Sequence, residues 1–414
     1  MLSALFRDAR VAARDLAKHA RTNASKRRLF VTDLAERLLA NEARVLQANE
    51  MDQKEAKASG VNAAFIDRLT LSNARIQSLA AGLRAIAELP DPLTKSEPAA
   101  EQPNGLLVER VRVPLGVIGI VYESRPNVTL ECAALAVRAG NAILLRGGKE
   151  ARHTNEVFAD LLRHSLLRAD LPIASASLLP TERSAILELI QATEYVDLVI
   201  PRGGESLIRF VAENARVPVV QHYKGVCHLY VDGEVKEDEA RQIVINAKLS
   251  RPGVCNALEG LLVHESKHEW LKGTLAALFD QGCSVFGCDA TRAFDKRVQA
   301  IGPDEYGVEY LDKILAVKVV KDLDEAMNHI ARFGSGHSEG ICTTNEAHRE
   351  RFLEEVDAAC VLANTSTRFH DGGALGLGAE MGIATSRIHW RGPMGLDSLT
   401  TMKWVVRGEG QTRI

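Results

Sequence analysis

The feature that most constrains the fold is an alternation of short apolar runs with helical patterns after residue 113. The apolar runs cover residues 117–121, 142–145, 177–179, 197–200 and 217–220. The helical patterns between them cover residues 128–138, 154–167, 181–192 and 205–214. Continuously apolar strands that alternate with helices are typical of a parallel sheet covered on both faces. We therefore predict a doubly wound α/β architecture of the nucleotide-binding type.

The segments on either side of this series extend the prediction. Residues 1–90 have apolar positions at helical spacing, and a second α/β series begins near residue 225. The glycine-rich tract 372–382 predicts a loop that surrounds a substrate or cofactor. Residues 106–113 alternate apolar and polar side chains, and residues 401–407 form a late strand. We expect these two strands to pair with each other or with another subunit.

A cysteine loop interrupts the second series between a predicted helix at 237–249 and a predicted strand at 258–263. The loop reads SRPGVCNALEG over residues 250–260, and Pro252 and Gly253 make it irregular just before Cys255. A thiol on a short loop between rigid elements is accessible to a ligand and fixed in place. The alternative is a small core hydrophobe, which is the usual role of a free cysteine.

Composition excludes several classes of protein. The chain has 414 residues, 46% hydrophobic and 25% charged, with a net charge of -3 and interspersed signs, so a general nucleic-acid surface is not expected. Seven cysteines without a CxxC pair favour reduced thiols in the cytoplasm over a disulfide framework or a metal site. No apolar run reaches the roughly 20 residues that a membrane span needs. Asp8 and Asp15 argue against reading the amphipathic N-terminus as a presequence.

Three further motifs lie at predicted strand ends, where ligands bind in open α/β sheets. Residues 124–127 (SRPN) end with Asn127, which is either a ligand-binding amide or an N-cap. Arg146 and Lys149 stand where NAD-preferring proteins carry an acid, so they suit a 2′-phosphate or form a solvated basic loop. Gly203 and Gly204 open a helix and favour an anion, although a GxGxxG fingerprint is missing.

The chain resembles the aldehyde dehydrogenase superfamily over nearly its whole length. The resemblance rests on YESRPNVT (122–129), AGNAILLRGGKEA (139–151), RPGVCNALE (251–259), GSGHSE (334–339), NTSTRFHDGG (364–373) and RGPMGLDSLTTMKWVVRG (391–408). It implies two doubly wound α/β domains plus a β-strand oligomerisation arm. We expect an NADP-binding domain over 1–224, interrupted by an arm strand at about 105–115, a catalytic domain over 225–390 and an oligomerisation strand over 391–414.

The resemblance also implies roles for individual residues. Cys255 matches the catalytic cysteine, and Asn127 matches the amide that forms the oxyanion hole with the cysteine N–H. Cofactor contacts are expected from Arg146, Lys149, Gly203, Gly204 and Glu309, and the basic pair favours NADPH/NADP over NADH.

For the substrate we expect contacts from Arg125, Arg368, Asn364, Ser366 and His337. A structural salt bridge stays open for either arginine. His337 is either a proton donor or a residue that orients the loop, and the sequence does not separate these.

The segment over residues 220–225 departs from the superfamily. Hydrolytic members carry a glutamate there that activates water, whereas this chain has VQHYKG with no carboxylate. A general base beside a thioacyl intermediate would hydrolyse it, so reductive use is favoured.

The resemblance therefore implies NADPH-dependent reduction of L-glutamate 5-phosphate to L-glutamate 5-semialdehyde and phosphate, the second step of proline biosynthesis from glutamate, through a Cys255 thioacyl. The alternatives are an acylating or hydrolytic aldehyde dehydrogenase and a non-catalytic nucleotide-binding protein. A homo-oligomer is expected, docking with glutamate 5-kinase is left open, and neither a nucleic acid nor a membrane is expected as a partner.

Overall fold

The computed structural model describes residues 2–61, 63–95, 97, 99–220 and 224–413. The chain divides into two compact units. Unit 1 comprises Met1–Gln221, Gly376–Gly382 and Met394–Ile414, and unit 2 comprises His222–Leu375 and Ile383–Pro393. Each unit contains a parallel sheet of its own.

Unit 1 begins with five helices, which confirms the predicted helical region. They are α1 (Leu2–Lys18), α2 (Ala24–Ala40), α3 (Glu42–Ala58), α4 (Ala63–Leu69) and α5 (Asn73–Glu88). Along α1 the buried residues Leu2, Phe6, Ala9, Ala13 and Leu16 recur every three or four positions, as helical spacing requires. Most of this face joins the same apolar cluster as the unit 1 sheet.

The first α/β series forms the sheet of unit 1. Two strands of a separate antiparallel sheet, β1 (Ala100–Glu101) and β2 (Leu107–Pro114), precede it. The elements of the parallel sheet and its helices are β3 (Val117–Tyr122), α6 (Asn127–Arg138), β4 (Ala142–Gly147), α7 (Arg152–Arg168), β5 (Ala176–Leu178), α8 (Arg183–Gln191), β6 (Leu198–Arg202) and α9 (Glu205–Asn214). Four strands lie parallel in the order β5-β4-β3-β6. The chain steps from β3 through β4 to β5 and then returns to the other side of β3. The crevice between the carboxyl ends of β3 and β6 is therefore a topological switch point, where doubly wound sheets bind ligands.

One predicted strand of this series is wrong. Residues 217–220 make a single bridge, between Val219 and Val199, instead of a strand. The Pro218 carbonyl accepts from the Val199 N–H at 2.9 Å and the Val220 N–H donates to the Val199 carbonyl at 3.1 Å, but Pro218 has no N–H with which to extend the ladder.

Unit 2 carries the second series on a larger sheet. Its elements are β7 (Cys227–Val231), α10 (Glu237–Leu249), β8 (Leu258–His264), α11 (His268–Asp280), β9 (Ser284–Gly287), α12 (Asp289–Phe294), β10 (Gln299–Ala300), β11 (Ile314–Val320), α13 (Leu323–Phe333), β12 (Ser338–Cys342), α14 (Glu346–Glu355), β13 (Cys360–Ala363), β14 (Ile383–Ala384) and β15 (Gly392–Pro393). Seven parallel strands follow the order β10-β9-β11-β8-β7-β12-β13. The doubly wound prediction is thus confirmed in both units.

Strand β12 begins earlier than the predicted strand at 341–343. Its first residues, Ser338 and Glu339, are polar, so the apolar pattern did not predict that the strand starts there, although all five of its positions are buried. Glu339 is tolerated there because it accepts hydrogen bonds from the backbone N–H of His228 and pairs with its ring, at 3.0 Å each.

The last strand, β16 (Thr400–Arg407), pairs antiparallel with β2 from Thr400–Pro114 to Arg407–Leu107. This confirms the predicted pairing of the late strand with the strand after residue 105. Short 3₁₀ turns lie at Pro92–Thr94, Lys149–Ala151, Ile173–Ser175, Glu265–Lys267, Glu305–Gly307, Thr367–Phe369 and Asp397–Leu399. Among the helices of the described residues, none has both the length and the apolar character needed to cross a bilayer.

Candidate active site

In unit 1, a small cavity lies at the switch point between the ends of β3 and β6. Its volume is about 130 Å³, and its lining is Phe65, Arg68, Glu123, Ser124, Arg125, Gly203 and Gly204. Three predicted ligand-binding residues, Arg125, Gly203 and Gly204, therefore lie around one space at the edge of the sheet. The cavity has both signs of charge, because Glu123 lines it together with the two arginines.

The loop that leaves β3 is held by a carboxylate. Ser124 adopts φ +47°, a left-handed conformation that a non-glycine residue rarely takes. Its backbone N–H donates to Oε1 of Glu150 at 2.6 Å, and its hydroxyl lies 3.4 Å from the same oxygen. Residues in such strained conformations cluster at functional sites, where their surroundings hold them in place. Sequence reasoning missed Glu150, which lies in the RGGKE loop after β4.

Asn127 is the first residue of α6, and its amide is oriented by a second carboxylate. Its Nδ2 donates to Oε2 of Glu131 at 2.9 Å. Burial raises the pKa of Glu131 to about 7, while the bond from Asn127 and the charge of Arg202 act in the opposite direction. The sequence held a signal for this partner, because side chains four residues apart on a helix are neighbours.

The predicted cofactor residues of unit 1 lie at two strand ends. Arg146, near the end of β4, is buried and donates through Nη2 to the Thr181 carbonyl at 2.5 Å. Within the described residues its Nε is buried without a hydrogen-bond partner. Lys149 is exposed on the following turn. The N–H of Gly204, at the start of α9, donates to Oε2 of Glu123 at 3.1 Å, so an anion at this glycine would have to replace that carboxylate.

In unit 2, the Cys255 loop packs closely on the segment that precedes β7. Cys255 is a free, half-buried cysteine, whereas Cys227 beside it is buried. Its backbone carbonyl accepts a hydrogen bond from Sγ of the buried Cys227 at 3.2 Å. A Cβ placed on Gly225 would lie 2.1 Å from the same carbonyl oxygen, so only glycine fits beneath the cysteine.

Behind Cys227, a chain of hydrogen-bonding side chains extends into the interior through His337, Ser338 and His370. Nδ1 of His337 lies 3.6 Å from Sγ of Cys227 and 2.7 Å from Oγ of Ser338. Ser338 in turn lies 2.7 Å from Nδ1 of His370. His337 is fully buried, and burial lowers its pKa to about 4, so the imidazole is neutral at pH 7. Its position favours the loop-orienting role over contact with a substrate.

Asn256 ties the cysteine loop to the turn that carries Arg368. Its Nδ2 donates to the carbonyls of His370 at 3.0 Å and Arg368 at 3.4 Å. Its own carbonyl accepts from the hydroxyl of Thr367 at 2.8 Å.

Three predicted substrate residues with different roles lie in or just before the turn at Thr367–Phe369. Asn364 has φ +53° and pairs its amide with both backbone groups of Thr343 at 2.9 Å each. Ser366 caps the turn by accepting from the N–H of Arg368 at 3.3 Å. Both shape the backbone, whereas Arg368 supplies charge. Burial lowers the pKa of Arg368, and the neighbouring charge of Arg251 lowers it further.

Glu309 lies in the segment between the Glu305–Gly307 turn and β11, where a buried ion pair holds the backbone. Leu311 has φ +53°, and its N–H donates to Oε1 of Glu259 at 3.2 Å. The other oxygen of Glu259 accepts from Nζ of Lys248 at 2.7 Å, and both side chains are at most 1% exposed. Burial raises the pKa of Glu259 to about 7, against the opposing effect of Lys248.

Part of the segment predicted to lack a carboxylate, Gln221, His222 and Tyr223, lies outside the described residues. In the part that is described, Lys224 donates to the Gly307 carbonyl at 2.6 Å. No group of three or more His, Cys, Asp or Glu side chains in the described ranges is arranged to hold a metal ion.

The predicted residues thus fall into groups within each unit. Unit 1 brings Arg125, Gly203 and Gly204 to the switch-point cavity, Asn127 begins the helix that follows Arg125, and Arg146 and Lys149 lie in and just after β4. In unit 2, Cys255 is an electrostatic neighbour of Arg368, and Cys227 connects the Cys255 loop to His337. Sequence reasoning missed the supporting residues, which are Glu123, Glu131, Glu150, Cys227, Arg251 and Asn256.

Comparisons with known proteins are consistent with this arrangement. A family model described as the aldehyde dehydrogenase family matches residues 4–283. The chain is 51% identical to a γ-glutamyl phosphate reductase of Sorangium cellulosum, over all of this chain and 97% of that protein. It is 46% identical to one of Geobacter metallireducens, over 98% and 97% of the two chains. A crystal structure of the γ-glutamyl phosphate reductase of Thermotoga maritima superposes with a TM-score of 0.95 at 42% identity, and both chains are covered completely.

Proposed function

This chain belongs to the aldehyde dehydrogenase family, and from that premise we propose that it is a γ-glutamyl phosphate reductase acting in proline biosynthesis. The reaction reduces L-glutamate 5-phosphate to L-glutamate 5-semialdehyde with NADPH and releases inorganic phosphate. The observation that carries the proposal is the half-buried Cys255 thiol on a loop held by neutral groups, with Arg368 and Arg251 as neighbouring cations.

Cys255 is the nucleophile of the first step. Its thiolate attacks the acyl carbon, a C–S bond forms, and the C–O bond to phosphate breaks, so that a thioester and inorganic phosphate result. Arg368 and Arg251 place positive charge around an anionic substrate, which suits both the phosphate and the α-carboxylate of glutamate. We assign recognition of one of these anions to Arg368, on a turn shaped by Asn364 and Ser366.

Asn127 stabilises the oxyanion of the tetrahedral intermediate. Its amide donates a hydrogen bond as negative charge develops. Removing one such donor typically costs about 100- to 1000-fold in rate. Arg125 lies two residues away, lines the unit 1 cavity and provides a further cation for the substrate.

The residues of unit 1 fit an NADPH cofactor with its 2′-phosphate. Arg146 has a buried Nε with no partner in the described part of the chain, and Lys149 is exposed three residues later. We propose unit 1 as the NADP-binding domain, and we assign these two cations to the phosphate and Glu309 to the nicotinamide ribose. When bound, NADPH supplies the hydride that reduces the thioester. Collapse of the hemithioacetal then releases the aldehyde and restores the Cys255 thiolate.

The strand β16 is our candidate for contact with a second subunit. It is the outer strand of the sheet β1-β2-β16, and Trp404 and Val406 are 67% and 55% exposed. An exposed edge with apolar side chains favours pairing with another chain. We therefore propose a homo-oligomer, and docking of glutamate 5-kinase is a separate question for a binding assay.

The test is the reverse reaction, in which NADP-dependent oxidation of glutamate semialdehyde requires phosphate. Wild type should turn over with phosphate and fail with coenzyme A in its place. Cys255→Ala should lose at least about 10⁴-fold in rate, because the nucleophile is gone. Cys360→Ala is the matched control, since Cys360 is another half-buried cysteine of unit 2. Activity without phosphate, or full activity in Cys255→Ala, would reject the proposal.

A further inference from the structure

Glu131 lies one helical turn after Asn127 on α6, and no step of the proposed reaction uses it. Its Oε2 accepts from Nδ2 of Asn127 at 2.9 Å. We propose that Glu131 is a positioning residue that fixes the direction of the Asn127 amide. One N–H of Asn127 is then engaged by Glu131, and the second is available for the oxyanion. This inference rests on the proposed function, because it assigns Asn127 to the oxyanion.

The chemistry of the pair determines which end of the amide Glu131 meets. An ionised carboxylate only accepts hydrogen bonds, so Asn127 must turn its NH₂ group toward Glu131 and its Oδ1 away. The two hydrogens of that NH₂ group diverge, so the second points away from Glu131. A donor fixed before the reaction needs no reorganisation when charge develops.

Without an acceptor at residue 131, the amide has no reason to keep this orientation. The terminal torsion of asparagine is broad and roughly two-fold, so NH₂ and carbonyl exchange places at small cost. A flipped Asn127 would present its oxygen to the oxyanion, and two negative dipoles would then repel. The loop already has a fixed backbone through Ser124 and Glu150, so the remaining freedom is this side-chain torsion.

The environment of Glu131 strengthens the bond. Burial weakens the competition from water, and it is also the main cause that raises the pKa of this carboxyl group to about 7. The charges of Arg202 and Arg125 favour the ionised form, whereas Glu380 disfavours it. The acceptor is therefore a poorly solvated carboxyl group that nearby cations favour in its ionised form.

Substitutions that keep or remove the acceptor separate positioning from a role of the charge itself. In the NADPH-dependent reduction, Glu131→Met should lower kcat by about 10- to 100-fold, as loss of a supporting contact typically does. The substrate KM and the NADPH affinity should change less than about threefold, because a residue that acts only by orienting Asn127 has its effect in the transition state. Glu131→Gln keeps a carbonyl acceptor and should recover most of the lost kcat. If Glu131→Gln is as impaired as Glu131→Met, the charge is what matters and positioning is rejected.

A double-mutant cycle provides the second test. If Glu131 acts only through Asn127, Glu131→Met should have little further effect on kcat in an Asn127→Ala background. With kcat expressed per amount of folded protein, additive losses would overturn the inference. Glu188→Ala is the control, an exposed glutamate on α8 of the same unit. Failure of the wild type to reduce glutamate 5-phosphate would refute the proposed function first, so the two failures are distinguishable.

Discussion

The two loops that carry the proposed chemistry are held by opposite kinds of group. In unit 1, the segment from Glu123 to Asn127 is held by carboxylates, with Glu150 on the Ser124 N–H and Glu131 on the Asn127 amide. In unit 2, the backbone carbonyls of Cys255 and Asn256 accept hydrogen bonds from the thiol of Cys227 and the hydroxyl of Thr367, and the Asn256 amide donates to the His370 carbonyl.

The difference follows from what each loop has to present. Unit 1 presents N–H donors, and a carboxylate orients a donor firmly because charge-assisted hydrogen bonds are about twice as strong as neutral ones. In the proposed reaction, unit 2 presents the Cys255 thiolate, which then becomes the sulfur of a thioester. A carboxylate beside it would raise the pKa of the thiol and could activate water against the thioester. Neutral support holds the loop without either effect.

The largest expected effect concerns the neutral state of the buried His337 imidazole, which lies next to Cys227. The pKa of His337 is lowered from 6.5 to about 4 in the folded protein. Its neutral form therefore stabilises the fold fully above pH 6.5, and this stability is lost as the pH falls through the window from 6.5 to 4. The loss amounts to about 3 kcal/mol, since one pKa unit corresponds to about 1.4 kcal/mol.

His337→Gln should remove this dependence, because an amide does not titrate. Urea unfolding between pH 7 and pH 4 should show the wild type losing about 3 kcal/mol more than His337→Gln over that range. His268→Gln, on an exposed histidine of the same unit, should run parallel to the wild type. Parallel curves for His337→Gln as well would mean that the histidine is not held neutral, and the contrast between the two loops would fail.

The next effect concerns how closely the neutral support fits the cysteine. Gly225→Ala would place a Cβ 2.1 Å from the Cys255 carbonyl oxygen and 2.9 Å from its Cα, so the backbone of the nucleophile must move. A displacement of about 1 Å costs on the order of 100-fold in rate, so kcat should fall by about that factor while NADPH binding is unchanged. Gly82→Ala is the control, since a Cβ on this helical glycine meets nothing within 4 Å. An unchanged kcat in Gly225→Ala would show that the loop does not need this support.

The difference between local and distant contacts explains which parts of the fold and the site could be predicted from the sequence. Apolar periodicity located the longer strands of both parallel sheets and most of the helices between them, because burial of apolar side chains is a local pattern. It did not locate the two-residue strands β1, β10, β14 and β15 or the short helix α12. It failed where polar residues are buried through distant partners, as at Ser338 and Glu339 in β12. The motifs pointed to Cys255 and Asn127. Of the groups that hold them, only Glu131 lies close enough in the chain to have been inferred from spacing. Glu150 and Cys227 are separated from their partners by 26 and 28 residues.

The smallest effect tests the carboxylate side of the comparison at Glu150. Glu150→Ala removes the acceptor of the Ser124 N–H, so the left-handed Ser124 loses the bond that holds it and the loop relaxes. A strained residue of this kind costs about 1–3 kcal/mol, and we expect kcat to fall by about tenfold as the loop samples other conformations. Glu150→Gln retains a weaker, neutral acceptor and should lose about threefold. Gly148→Ala would disturb the same hydrogen bond without removing the carboxylate, because its Cβ would lie 2.1 Å from Oε1 of Glu150 and displace that group.

Steady-state rates of these three variants, measured beside Glu188→Ala, show whether the Ser124 loop needs the charge of Glu150. If Glu150→Gln is as active as the wild type, the negative charge of Glu150 is not needed to hold the Ser124 loop. The need for neutral groups around Cys255 would then be the one remaining difference between the two loops.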